Sequence, residues 1–133
     1  MVENPGYFIA TEDGRLNFEP GEMIAVIAEW QLENPPPKAE VRLVWFTRGK
    51  GDADAAIVTR MPLDSPQATD RRRCEILLPD SPYAFSGKLI SLTWAIELIL
   101  SPMQSRRLDL IVAPGAKEIQ LPVFDIKAFL KAT

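Results

Sequence analysis

The feature that most constrains the fold is a long alternation of apolar and polar residues in LISLTWAIELIL, Leu89 to Leu100. From Ile90 to Leu100 every second residue is apolar, and the residues between them are small or polar except Ile99. Successive side chains of a β-strand point to opposite faces, so this pattern predicts a long strand with one buried face. The competing interpretation, a helix with an N-cap at Ser86, spreads the apolar residues around much of its surface.

The same period occurs in two further segments. MIAVIAEWQL predicts a second long strand, and EVRLVWFT predicts a central strand with both faces partly covered. Turn-forming residues separate further strand-like runs, and the 12 prolines are confined to these joints. Shorter strands are predicted at Ala56 to Arg60, Arg73 to Leu78, Arg107 to Val112 and Lys117 to Leu121, with an edge strand at Gly14 to Phe18.

These elements predict an all-β fold, an antiparallel immunoglobulin-like sandwich of about 7–8 strands. The length of 133 residues suits a single domain. We expect residues 16–121 to form the core sandwich and residues 122–133 to form a C-terminal tail. Within that tail, VFDIKAFLKAT has the pattern of a short helix with Asp125 as its N-cap.

Turn chemistry carries a family resemblance. Phe18-Glu19-Pro20-Gly21-Glu22 precedes one long strand, and Leu78-Pro79, Pro82 and Phe85-Ser86-Gly87 precede the strand that contains Trp94. From about Leu16 to Leu121 this series resembles an arrestin-like β-sandwich domain. The resemblance implies that fold and a general habit of protein binding. Arrestins and their relatives usually pair two such sandwiches, and this chain has residues enough for one.

Little in the sequence predicts catalysis. The chain has no histidine, which removes the most usual general base and the commonest metal ligand. Its single cysteine, Cys74, alternates with Ile76 and Leu78, so we expect a buried and inert thiol. We therefore expect no enzyme activity, no cofactor and no metal site.

Charge and hydropathy narrow the partners and the compartment. The net charge of −3 and the pI of about 5.0 give no field to attract nucleic acid. The N-terminal segment MVENPGYFIATEDG has neither a basic nor an apolar signal region, and no apolar run reaches the roughly 20 residues of a membrane span. We expect a cytoplasmic protein without a transmembrane segment.

The concentrated positive charge lies at Arg71, Arg72 and Arg73, which follow Asp70. Three guanidinium groups at a strand entry are candidates for binding phosphate groups or an acidic partner segment, and a solvated strand end is the alternative. A second pair, Arg106 and Arg107, follows the long strand, and the sequence leaves open whether the two clusters meet.

Two classes of function remain open. The leading hypothesis is a non-catalytic interaction, scaffold or adaptor module that binds protein through a sheet edge or loops. Self-association stays open. The alternative is a small-ligand or carbohydrate-binding sandwich that is accessory to an enzyme. That alternative needs exposed aromatic rings, whereas Trp30, Trp45 and Trp94 all fall on apolar strand faces.

Overall fold

A central strand, β8, organises the larger of two β-sheets. The computed structural model describes residues 6–49, 54–86, 90–117 and 119–120. Its strands are β1 (Tyr7–Thr11), β2 (Asn17–Phe18), β3 (Met23–Gln31), β4 (Glu40–Gly49), β5 (Ala55–Pro62), β6 (Thr69–Leu77), β7 (Phe85–Ser86), β8 (Ile90–Ser101), β9 (Gln104–Val112) and β10 (Ile119–Gln120). A 3-10 turn, Pro114–Ala116, lies between the last two strands.

The strands form two sheets. The first sheet has the order β1-β3-β6, and the second has the order β10-β7-β8-β4-β5, with β9 also paired to β8 and β2 paired to β9. The long ladders are antiparallel. Two short pairs, β2 with β9 and β10 with β7, are parallel. Strand β8 therefore lies at the centre of the larger sheet, and β4 lies between β8 and the edge strand β5.

Alternation along the long strands explains how the two sheets bury a common core. Strand β8 contributes four fully buried side chains, those of Trp94, Ile96, Leu98 and Leu100. In the ladder with β4, Ile96 is opposite Leu43 and Leu98 is opposite Val41, and both of these residues are also fully buried. The first sheet contributes residues of the same parity from β3, including Val26 and Trp30. The predicted all-β sandwich is confirmed. No helix among the described residues is long and apolar enough to cross a membrane.

Two buried tryptophans have their polar atoms satisfied. The Trp94 indole Nε1 donates to the carbonyl oxygen of Pro82 at 2.8 Å, and that of Trp30 donates to the carbonyl oxygen of Gln67 at 2.6 Å. Each bond joins a core strand to a loop. The indole N–H groups are therefore buried with a hydrogen-bond acceptor, which avoids the cost of an unpaired polar group. Trp45 is partly buried and packs against the core.

The segment between β6 and β8 is a corner of the sandwich. The N–H of Leu78 donates to the carbonyl oxygen of Glu22, and the N–H of Ala84 donates to that of Val112. Leu78, Ala84 and Phe85 are buried. These contacts anchor the corner to both sheets. The prolines of this segment predicted a turn at this position.

Several strand boundaries differ from those predicted. Strand β6 begins at Thr69 rather than Arg73, and β9 begins at Gln104 rather than Arg107. The predicted edge strand at Gly14 to Phe18 is limited to Asn17–Phe18. Strands β1 and β7 were not predicted. Leu121 and the predicted C-terminal helix lie outside the described residues.

We expect the mutation Trp94→Ala to lower the free energy of unfolding by about 3–5 kcal/mol, because it removes a buried aromatic ring and leaves a cavity. The side chain of Trp94 is fully buried, whereas that of Met103 is 89% exposed. Met103→Ala is therefore the matched control, with an expected change within about 0.5 kcal/mol. Urea unfolding measures both. Equal, small losses for the two variants contradict the described core.

Candidate partner-binding edge

The outer edge of β6 exposes regularly spaced backbone groups. Strand β6 pairs with β3 over its whole length without a register shift. At the two ends of this ladder, the N–H of Leu78 donates to the carbonyl oxygen of Glu22 at 2.9 Å, and the N–H of Leu32 donates to that of Ala68 at 2.8 Å. Backbone groups alternate in direction along a strand. The even-numbered residues of β6 therefore bond to β3, and the odd-numbered residues direct their N–H and C=O groups outward.

These outward groups define the surface that we call the β6 edge: the backbone of Arg71, Arg73, Glu75 and Leu77 on the side away from β3. Within the described residues no strand pairs with this side of β6. The side chains of the same four residues lie on the outer face of the first sheet, because residues of one parity share a face. An added strand meets both the backbone groups and these side chains.

The outer edge of β5, in the larger sheet, is less regular. Its ladder with β4 shifts register opposite Leu43 and Val44, so Val58 has no partner in the ladder. The N–H of Leu63 donates to the carbonyl oxygen of Ala39, which by alternation turns the nitrogen of Pro62 outward. Proline has no N–H to donate, and a bulge disrupts strand pairing. The β5 edge is therefore a poorer template than the β6 edge.

The predicted arginine cluster lies within β6 and is divided by the strand. Arg71 and Arg73 have one parity and point to the outer face, whereas Arg72 has the other. The run therefore does not form one positive patch. The predicted strand began at Arg73, so the run was expected at a strand entry rather than inside the strand, which begins at Thr69.

Arg72 is tied to the scaffold. Its guanidinium binds the Asp70 carboxylate through two bonds of 2.9 and 3.0 Å, and its Nη2 also donates to the carbonyl oxygens of Asp64 and Ser65. These bonds connect β6 to the loop that follows β5. Because the Nε and Nη2 donors of Arg72 bond inside the chain, its role in this structure is to hold the start of β6.

Asp70 collects several hydrogen bonds besides those from Arg72. Its carboxylate also accepts the N–H of Gln67 at 3.0 Å and that of Arg71 at 2.9 Å. These bonds, with that of Arg72 the strongest, lower the pKa of Asp70 to about 2. The carboxylate is thus charged throughout the neutral range and fixes the local backbone.

Arg73 bridges the outer face of the first sheet. Its Nε donates to Glu12 at 2.7 Å, and its Nη2 lies 3.3 Å from Glu75. Glu12 follows β1, so this ion pair crosses β3, where Ile27 is the residue opposite Arg73 in the ladder. Ile27 is only 7% exposed although it is on an outer face. The bond from Arg73 also lowers the pKa of Glu12.

Arg71 is the most accessible of the three arginines. Its side chain is 68% exposed, and its Nε lies 3.9 Å from a carboxylate oxygen of Glu29. It borders a shallow groove of about 500 Å³ whose lining includes Phe8, Glu29 and Thr69. Its guanidinium therefore lies exposed beside this groove.

The second arginine pair lies elsewhere. The Nε of Arg106 donates to the carbonyl oxygen of Tyr7 on β1, which is the opposite edge of the first sheet from β6. Arg107 lies over the ring of Phe46, 4.7 Å from its centroid, on the larger sheet. The two clusters are therefore separate.

Exposed apolar residues on the first sheet were not singled out from the sequence. Met23 is 53% exposed and Leu77 is 60% exposed, and the two lie opposite each other in the β3–β6 ladder. Both fall on the odd, outward parity of their strands. That parity was visible in the sequence, but their adjacency depended on the register.

Other candidate groups are structural. Cys74 is buried in the core, and burial raises the pKa of its thiol. Across the described residues no group of three or more histidine, cysteine, aspartate or glutamate side chains is arranged to hold a metal ion.

Comparison with known proteins identifies the fold. No protein-family model and no curated protein sequence matches this chain. A crystal structure of the sporulation control protein Spo0M from Bacillus subtilis matches with a TM-score of 0.55 and 13% sequence identity. The fold is that of an arrestin-like β-sandwich. The match covers 81% of this chain and 49% of the Spo0M chain, so this chain spans about half the length of that structure.

We expect Asp70→Asn to change the pH dependence of stability. The pKa of Asp70 is about 2 in the folded protein against an ordinary value of 3.8, so its contribution is complete above about pH 4 and is lost as the pH falls towards 2. Partial solvent exposure of Arg72 limits the contribution to about 1–2 kcal/mol.

Urea unfolding of the wild-type protein and Asp70→Asn at several pH values measures this difference. The gap between the two proteins is expected to be largest near neutral pH and to shrink between pH 4 and pH 2. A gap that is independent of pH contradicts the assigned role of the carboxylate.

Proposed function

We propose that this chain is a non-catalytic protein-interaction module that binds an extended segment of a partner at the β6 edge. The observation that carries the proposal is the uninterrupted ladder of β6 with β3, which leaves the outward backbone groups of β6 without a strand partner among the described residues. An exposed edge of this kind accepts an added strand through main-chain hydrogen bonds.

The length and regularity of the edge support strand addition. Strand β6 contains 9 residues, Thr69–Leu77, and its register with β3 is continuous. An added strand receives hydrogen bonds from alternate residues, and its own alternate side chains lie beside those of β6 on the outer face. Leu77 provides an exposed apolar contact at one end, and Arg71 provides a charge near the other.

The arginines contribute differently to such an interface. The exposed guanidinium of Arg71 is placed to attract an acidic side chain of the partner, and rim charges of this kind mainly affect the association rate. Arg73 already pairs with Glu12 and Glu75, so a carboxylate of the partner competes with these two groups for its guanidinium. Arg72 contributes indirectly, because its bonds to Asp70 and to the preceding loop hold β6 in place.

A regulatory role fits a protein that acts by binding rather than by chemistry. The structural neighbour Spo0M is described as a sporulation control protein, and we extend to this chain only the general idea of a control role. We further propose that the sandwich acts as one unit in the cytoplasm, where its buried thiol needs no disulfide partner. The carbohydrate-binding alternative is less well supported, since Trp30 and Trp94 are buried.

The mutation Glu75→Pro tests the edge directly. It removes an N–H that points away from β3, so the ladder within the chain stays intact while an added strand loses a donor and meets the proline ring. Random peptides displayed on phage and selected on the immobilised wild-type protein are expected to bind Glu75→Pro at least tenfold more weakly.

Glu75→Ala is the matched control, because it removes the same carboxylate and keeps the N–H. Peptides selected on the wild-type protein are expected to bind this variant with nearly unchanged affinity. Thermal unfolding of both variants checks that the fold is retained. Selected peptides that bind the proline variant as tightly as the alanine variant would show that binding occurs away from the β6 edge.

A further inference from the structure

The charges along the β6 edge are ordered so that an antiparallel copy of the same strand places opposite charges face to face. The outward residues in chain order are Arg71, Arg73, Glu75 and Leu77, so a positive residue and a negative residue lie on either side of Cys74. When an antiparallel copy of the same strand is centred on Cys74, Arg73 of each copy faces Glu75 of the other. Opposite charges that face each other across an antiparallel pair stabilise it.

From this pattern we propose that a second copy of this chain is a partner of the β6 edge, joined antiparallel about a twofold axis that passes beside Cys74. This proposal rests on the proposed function, because it uses the same free edge. It adds that the strand bound at this edge is β6 of a second copy of the chain. A twofold interface uses one surface patch on both subunits, so the edge must complement itself. The two first sheets then form one continuous sheet across the dimer.

Neighbouring registers are disfavoured by charge. An axis at Arg73 places this residue opposite itself, and an axis at Glu75 does the same for the glutamate. An axis at Arg72 places Arg71 opposite Arg73. Like charges that face each other destabilise strand pairing. Of these registers, the one centred on Cys74 places opposite charges together without opposing like charges.

The flanking residues fit the same register. Arg71 of one copy faces Leu77 of the other, so the aliphatic part of the arginine covers a leucine that is 60% exposed in the single chain. The weak contact of Arg71 with Glu29, at 3.9 Å, leaves the side chain free to repack. On the inner face, Arg72 lies beside Ile76 of the second copy, and its charge remains neutralised by Asp70.

A strand of different charge pattern fits less well. A uniformly acidic segment places a carboxylate against Glu75, and a uniformly basic segment opposes both Arg71 and Arg73. Arg73 keeps donors for a second carboxylate, because its side chain is 48% exposed beside Glu12. The strand with the chain's own sequence therefore matches the edge on charge, on apolar contact and on backbone direction.

Exchange of the two central charges tests the proposal. Sedimentation equilibrium of the wild-type protein is expected to show a dimer, and Arg73→Glu and Glu75→Arg are each expected to raise the dimer Kd at least tenfold. In an equimolar mixture of the two variants both central pairs are attractive again, since one strand carries two positive charges and the other two negative charges. The mixture is expected to form a heterodimer with affinity near that of the wild-type protein.

Arg60→Gln is the control for a general effect of lost positive charge. Arg60 lies on β5, away from the β6 edge, and its side chain is 57% exposed with a contact of 3.9 Å to Glu40. The dimer Kd of this variant is therefore expected to stay within threefold of the wild-type value. Circular dichroism confirms the fold of each variant. Restored dimerisation in the mixture cannot arise from misfolding of either variant.

Two results overturn the proposal. One is a wild-type protein that remains monomeric up to about 100 μM, which corresponds to an association weaker than about −5.5 kcal/mol. The other is a dimer that neither charge reversal weakens or that the mixture fails to restore. The Glu75→Pro experiment tests peptide binding at the β6 edge independently of dimerisation. A monomeric protein that still selects edge-binding peptides therefore refutes the proposed dimer and leaves the proposed function intact.

Discussion

The continuous ladder between β3 and β6 is the constraint on which the rest of this structure depends. Because its register never shifts, the parity of each residue on β6 decides both the direction of its backbone groups and the face of its side chain. Even residues such as Cys74 and Ile76 enter the core and bond to β3. Odd residues such as Arg73 and Glu75 lie on the outer face and direct their backbone groups outward.

This parity gives three consecutive arginines different tasks. Arg72 holds the start of the strand through Asp70 and the preceding loop, and Arg73 connects β6 across β3 to Glu12 through an ion pair. Arg71 is left with an exposed guanidinium beside a groove. A bulge and Pro62 make the free edge of β5 irregular. The β6 edge thus combines regularly spaced backbone groups with charges that are suited to an ordered partner strand.

The long strands that were predicted from the sequence are those in which every second residue along a buried face is apolar. Strands β3, β4 and β8 have such patterns, and their core residues were predicted from the periodicity. Strand β1 was missed because Phe8 and Ala10, on its outer face, are apolar as well, so YFIAT shows no alternation. Strand β7 was missed because a strand of 2 residues has no period to detect.

The candidate site was predicted only in part, for a related reason. The arginines were recognised as a cluster, but in TDRRR both parities are polar, so the sequence does not show that Thr69 already lies in the strand. Because the strand begins at Thr69, all three arginines lie within it, and the alternation of the strand places Arg72 on the inner face and Arg71 and Arg73 on the outer face. The free edge itself depends on the strand order, which arises from contacts between residues distant in the chain and has no local sequence signal.

Amide hydrogen exchange along β6, measured by NMR at a concentration where the chain is monomeric, tests the central claim most directly. The amides of Arg72, Cys74 and Ile76 bond to β3 and are expected to exchange slowly. The amides of Arg73, Glu75 and Leu77 point outward and are expected to exchange much faster, which gives an alternating profile. Uniformly slow exchange along β6 would show that its outer edge is already paired within the chain and would contradict the account.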